Sequence, residues 1–163
     1  MSTFDVFGVG NALVDVQARV AEDLIGELKL DKGVMTLVDD DVQKTVLQKL
    51  DADRWSRCAG GSAANTIVAV AQLGGTAAFV GKVGNDEVGS FFVADMREIG
   101  ISVDVDPADQ PTGTCAVLIT PDAQRTMLTN LSASVTLDCG DLDEKRIADS
   151  QYVYVEGYLL TGE

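Results

Sequence analysis

Histidine is absent from the 163 residues. That removes a Ser-His-Asp triad, an HExxH zinc site and any imidazole proton shuttle from the chemistry open to this chain. Cysteine is scarce. Cys58, Cys115 and Cys139 are far apart and form no CxxC pair, which fits buried thiols in a reducing compartment rather than a disulfide framework or a metal knuckle. Basic residues are few: 12 Lys and Arg stand against 26 Asp and Glu, for a net charge of −14. Nucleic acid, whose phosphates demand clustered cations, is therefore disfavoured as a partner. A phosphate ligand would need a local device such as a helix N-terminus. No apolar run is long enough to span a bilayer. Met1-Ser2-Thr3-Phe4-Asp5 has neither the basic nor the apolar region of a signal peptide. The expected setting is cytoplasmic, without a membrane partner.

What remains is globular in composition. A hydrophobic fraction of 46% supports a packed core, and the length suits one domain or one half of a larger one. Residues 4–10 read as a strand, and 11–18 alternate, with Asn11, Leu13, Asp15 and Gln17 on one face and Ala12, Val14, Val16 and Ala18 on the other. A short helix is predicted over 20–28 and a strand over 33–38. A helix capped by Asp39 or Asp40 follows, with Val42, Val46, Leu47 and Leu50 on one stripe. Helices are predicted over 62–73, from Asn85 or Asp86 to Ile99, and over 140–149; strands over 76–81, 101–105, 114–120 and 125–131. Residues 152–155 (YVYV) are apolar on both faces, as a central parallel strand requires. Strands alternating with helices indicate an α/β layer, and the strand-rich segments between them a second, smaller sheet. The chain ends eight residues after Val155, so it reads as cut from a longer one, with the neighbours of that strand missing.

Two glycine motifs fail. Gly8-Val9-Gly10 lacks the third glycine of a dinucleotide fingerprint and precedes a strand-like segment. Gly81-Lys82 is followed by Val83 where a P-loop needs Ser or Thr. Ala59-Gly60-Gly61-Ser62-Ala63-Ala64-Asn65 is more informative. Two glycines let backbone approach a ligand, the helix N-terminus offers N–H groups, and Asn65 presents both donor and acceptor. The plainer alternative is a glycine turn with Ser62 as a simple N-cap. Asn11 and Asp15, if fully extended, lie roughly 13 Å apart and could grip two ends of one nucleoside-sized ligand. A solvated strand face is again the plainer alternative.

Gly10-Asn11-Ala12-Leu13-Val14-Asp15, then Ala59–Asn65, then Gly81-Lys82-Val83-Gly84-Asn85-Asp86-Glu87-Val88-Gly89 occur in this order. Together they resemble the N-terminal signature of the ribokinase-like, or PfkB, carbohydrate kinases. The run Pro111–Ala116 and the closing Tyr154–Thr161 look most like the adenosine-kinase branch. The resemblance implies a three-layer αβα sandwich, residues 1–11, 59–109 and 132–163, carrying a smaller β-sheet lid, residues 12–58 and 110–131. It also implies that Asp15 accepts hydrogen bonds from substrate hydroxyls and that Gly60, Gly61 and Asn65 hold the same hydroxyls from the other side. Asn11 would line the base or sugar pocket, and Ser62 joins them as an acceptor-site residue. Arg125, the one basic residue of the lid hairpin, would reach the substrate or the transferring phosphoryl group; an exposed strand cation is the plainer alternative.

ATP and Mg²⁺ are the implied cofactors, a nucleoside or sugar the implied partner, and pairing of two copies through lid sheets is left open. The family's GAGD-type run, which carries the catalytic base, is missing here. No catalytic residue is assigned, and the chain by itself is expected to be inert. Adenosine is the favoured acceptor. A free sugar such as fructose or ribose, or a truncated ligand-binding module without turnover, are the alternatives.

Overall fold

The computed structural model describes residues 3–50, 55–105 and 107–160. Its strands are β1 (Phe4–Val9), β2 (Leu13–Arg19), β3 (Met35–Leu37), β4 (Trp55–Gly60), β5 (Ala77–Val80), β6 (Val83–Gly84), β7 (Ser102–Asp104), β8 (Pro107–Ala108), β9 (Gly113–Ile119), β10 (Arg125–Asn130) and β11 (Ser150–Val155). Its α-helices are α1 (Glu22–Glu27), α2 (Asp40–Lys49), α3 (Ser62–Gln72), α4 (Glu87–Glu98) and α5 (Glu144–Ala148).

A parallel four-stranded sheet has the order β11-β1-β5-β7. Ala63, Ala64 and Ile67 of α3 and Phe92 and Met96 of α4 bury against one face, where Phe79 is fully enclosed. Phe7, Val9, Ala78 and Val80 fill the other face beneath Leu142 and Ile147, which places α5 on that side. Helices on both faces of a parallel sheet need strands that are apolar in both directions, and AAFV of β5 is buried at every position.

The second sheet is mixed, in the order β3-β10-β9-β2-β4. One face packs Val16, Ala18, Ala116, Leu118 and Leu128 against Ile25 of α1, Val46 of α2 and Leu50 at the end of that helix. The alternation of β2 thus aims its even-numbered apolar residues inward and leaves Asp15 and Gln17 on the opposite face.

Three features differ from the sequence reading. Asn11 precedes β2 instead of lying on it, so Asn11 and Asp15 do not share a strand face. On α2 Gln43 is buried beside Val46 while Val42 is exposed; the Gln43 amide donates to the carbonyl and hydroxyl of Thr114 at 3.2 and 3.0 Å, which makes burial of a polar side chain tolerable. Strand β4 was not anticipated, because WSRCAG lacks a clean alternation. Strand β11 forms the edge of the four-stranded sheet: Tyr152, Val153 and Val155 are exposed, Tyr154 packs against the core, and among the described residues no strand pairs with its outer side.

The run Gly84–Gly89 proves to be a structural fastener. The Asp86 carboxylate caps α4 through Gly89 N (2.7 Å) and also accepts from Thr112 N (2.8 Å) and Thr112 Oγ1 (2.6 Å), tying the entry to β9 onto α4. Burial alone would raise this carboxyl, but the bonds from Thr112, Gly89 and Val88 outweigh it and hold the group below its ordinary 3.8. A depressed folded pKa contributes stability above the unfolded value, lost as pH falls through the folded one. Asp86→Ala is therefore expected to cost about 1–2 kcal/mol at neutral pH, and urea melts should show that cost shrinking below pH 4. A pH-independent difference would refute the linkage.

Candidate functional site

The polypeptide leaves the carboxyl ends of β1 and β11 side by side, with Gly10 N donating to Val80 O and Glu156 N to Val9 O, both at 3.2 Å. In open α/β sheets this is the edge at which ligands bind. Here Asn11 and Glu156 face each other and meet the start of α3.

Gly61 opens α3 as its N-cap at φ +101°, and Ser62 is the first helical residue and caps nothing. The plainer alternative, with Ser62 as a simple N-cap, is thus one residue off. A left-handed backbone of this kind favours glycine at the cap, and a Cβ at Gly61 would strike the carbonyl oxygen of Asn11. At Gly60 a Cβ would strike the Asp15 carboxylate itself. The two glycines therefore draw β4, β2 and the Asn11 turn together. Asn65 N donates to Gly61 O at 2.9 Å in the first turn, and the side chains of Ser62 and Asn65 are exposed.

Strand register places Asp15 between two thiols. Its partner on β4 is Cys58 and on β9 is Cys115, with Thr129 of β10 next in the row. Cys58 Sγ accepts from Gln17 Nε2 (3.4 Å) and Cys115 Sγ from Thr129 Oγ1 (3.3 Å). Burial pushes the Cys115 thiol up to about 11 and also raises Cys58, with the charges of Asp15 and Asp95 adding to the latter. Both stay neutral at pH 7, so uncharged walls flank the carboxylate.

Asp15 is half-buried, and among the described residues no donor reaches its carboxylate. Burial raises its carboxyl above the ordinary 3.8, and the positive charge of Arg125 opposes the rise. Arg125 is exposed, and its guanidinium folds back over Met127 Sδ at 3.8 Å. Asn11, Gly60 and Gly61 are thus brought into contact, Asp15 lies against Gly60, Arg125 acts on Asp15 only through its charge, and Asn65 and Ser62 stand on the adjoining helix turn.

Sequence reasoning passed over Glu156. It is 2% exposed, and its carboxylate accepts from Asn11 N (2.7 Å), from Asn11 Nδ2, and from Ala63 N (3.0 Å). The helix N-terminus thought free for a ligand is thereby partly filled from within the chain. The signal available was a charged residue directly behind the apolar YVYV run.

Among the described residues no group of three or more His, Cys, Asp or Glu side chains is arranged to hold a metal ion, and no helix is long and apolar enough to cross a membrane.

Comparison with known proteins bears on this geometry. The chain is 24% identical over 167 residues to adenosine kinase 2 of Arabidopsis thaliana, an alignment covering 96% of this chain and 47% of that protein. It is 36% identical over 101 residues to fructokinase-1 of Oryza sativa subsp. japonica, covering 60% of this chain and 31% of the relative. The crystal structure of adenosine kinase from Sinorhizobium meliloti superimposes with a TM-score of 0.91 at 35% identity, over 99% of this chain and 50% of that one. The ribokinase-like α/β fold expected from the motifs is thus observed. The chain spans about half the length of the adenosine kinases it matches. The profile described as pfkB family carbohydrate kinase matches residues 29–163, and with that match the chain belongs to the pfkB family of carbohydrate kinases.

Proposed function

We propose that the protein to which this chain belongs is an ATP-dependent kinase that phosphorylates a primary hydroxyl of a nucleoside, and that these residues form the acceptor half of its site. The observation that carries this reading is Asp15: a half-buried carboxylate that no donor among the described residues reaches, held between neutral thiols and pressed against Gly60. A ligand hydroxyl supplies the missing donor, and a charge-assisted bond contributes about 1.5–3 kcal/mol. Asn11, Gly60, Gly61, Ser62 and Asn65 complete the acceptor surface. Arg125 partly neutralises Asp15 and approaches the acceptor or the transferred group. In this reading residues 1–11, 59–109 and 132–163 are the core, and 12–58 with 110–131 the lid.

Phosphoryl transfer needs a base, a metal and donors around the phosphates. The described residues offer no metal-holding cluster, and the Ala63 amide at the α3 N-terminus is taken by Glu156. No contact with ATP or Mg²⁺ is assigned to these residues, and no step is derived through either. The part assigned to this chain is to bind and orient the acceptor.

Adenosine is the favoured acceptor. Two of the relatives that align along nearly the whole chain are named adenosine kinases. The rival reading, a free-sugar kinase, draws on the fructokinase likeness over 60% of the chain. Catalytic efficiencies of the full-length protein on adenosine and fructose decide between them, with adenosine expected to be higher by about tenfold or more, a difference of about 1.4 kcal/mol. A clear preference for fructose replaces the nucleoside with the sugar. The 163-residue chain alone is expected to produce no phosphorylated product from either.

A further inference from the structure

Glu156 is unusual among the described acidic residues. It is almost completely buried and follows β11 directly, where it joins three segments distant in sequence. Burying a carboxylate is costly unless hydrogen bonds replace its water. Here one oxygen takes both the backbone and side-chain N–H groups of Asn11, and the other takes Ala63 N in the first turn of α3. All three partners are donors, and an ionised carboxylate is the side-chain group that only accepts. The helix N-terminus further favours the negative charge. Gly10 is cut to fit: a Cβ there would lie 2.5 Å from Ala63 Cβ and 2.7 Å from Glu156 Oε2. A side chain that merely filled this volume would need no charge.

The bonding also fixes the orientation of the Asn11 amide. Nδ2 must turn toward Glu156, because a carboxylate cannot donate back. Oδ1 is then the Asn11 atom left to accept from a ligand. The same carboxylate holds the turn that follows Gly60 and Gly61, the glycines pressed against Asp15 and Asn11.

We propose that Glu156 is a positioning residue of the acceptor site, its buried carboxylate locking the Asn11 amide and the first turn of α3 into one geometry before the acceptor arrives. This rests on the acceptor-site reading above. The substitution to make is Glu156→Gln in the full-length protein. An amide has one accepting oxygen, so one of its N–H groups is forced against Asn11 or Ala63.

Affinity for adenosine and for fructose, titrated calorimetrically, is expected to fall by about tenfold or more, while affinity for a non-hydrolysable ATP analogue stays unchanged. Asn11→Ala should cause a similar loss in the wild-type background and less than about a threefold further loss in the Glu156→Gln background. A role confined to stability predicts a lower Tm with unchanged acceptor affinity, or full additivity of the two substitutions, and either result overturns the proposal. Should Glu156→Gln fail to fold, Glu156→Asp keeps the charge on a stem one methylene shorter; undiminished acceptor affinity there refutes it equally. If the wild-type protein binds neither adenosine nor fructose, the acceptor-site reading itself has failed. If it binds one of them and Glu156→Gln binds equally well, only the role of Glu156 is wrong.

Discussion

Asp15→Ala in the full-length protein should weaken acceptor binding by roughly tenfold to several hundredfold or more, since one or two charge-assisted bonds are lost at about 1.5–3 kcal/mol each. Affinity for a non-hydrolysable ATP analogue should scarcely change. The strand itself should survive, because Val14 and Val16 on its other face carry the packing and are 0% and 5% exposed. A loss of less than about threefold, or roughly 0.7 kcal/mol, would mean that Asp15 does not hold the acceptor.

The same carboxylate predicts an opposite effect on stability. Burial raises the folded pKa of Asp15 above its ordinary 3.8. The folded state then binds more protons than the unfolded state between those two values, so this residue subtracts stability as pH rises through them. Asp15→Asn should therefore raise Tm at pH 7 while impairing acceptor binding, and the gain should vanish below pH 3.8, where both states are protonated. A residue kept for folding would show a fall in Tm instead. Activity obtained at the expense of stability is the expected signature of a functional group held without its ligand.

Much of this was legible in sequence, and the failures share a cause. Alternation along β2 told which face of the strand packs, since burying Val14, Val16 and Ala18 leaves no choice for Asp15. Asp86 as the cap of α4 was readable from local chemistry. Its bonds to Thr112 were not, because they span 26 residues. Gln43 displaced Val42 from the buried face of α2 for a similar reason: its partner, Thr114, lies 71 residues away. Glu156 is the extreme case, 145 residues from Asn11. Local pattern reports on periodicity and capping, whereas a buried polar group is explained by partners that only the fold brings near. Of the three cysteines expected to be buried, only Cys115 is; Cys58 is half-buried and Cys139 exposed, and the adjacency of Cys58 and Cys115 to Asp15 depends on the pairing of β4 and β9 with β2.

The two glycines of the Ala59–Asn65 run should separate by their consequences, although they are neighbours. Gly61→Ala combines a left-handed backbone at φ +101° with a Cβ driven into the Asn11 carbonyl oxygen, a main-chain atom that cannot move without the Gly10–Leu13 turn. Strain of this kind costs about 1–3 kcal/mol before the overlap is counted. The variant is expected to be strongly destabilised or insoluble. Gly60 has an ordinary backbone within β4, and the atoms nearest an added Cβ belong to the Asp15 carboxylate, a side chain that can rotate away. Gly60→Ala should fold with a small change in Tm, yet lose acceptor affinity by about tenfold or more because Asp15 is displaced. Adding Asp15→Ala to it should then cost little further, since both substitutions remove the same contact. Thermal melts, acceptor titrations and the double variant together test the assignment. Normal acceptor binding by a folded Gly60→Ala protein would show that the place of Asp15 beside Gly60 does not matter for the ligand, and the acceptor surface would have to be sought elsewhere on the sheet.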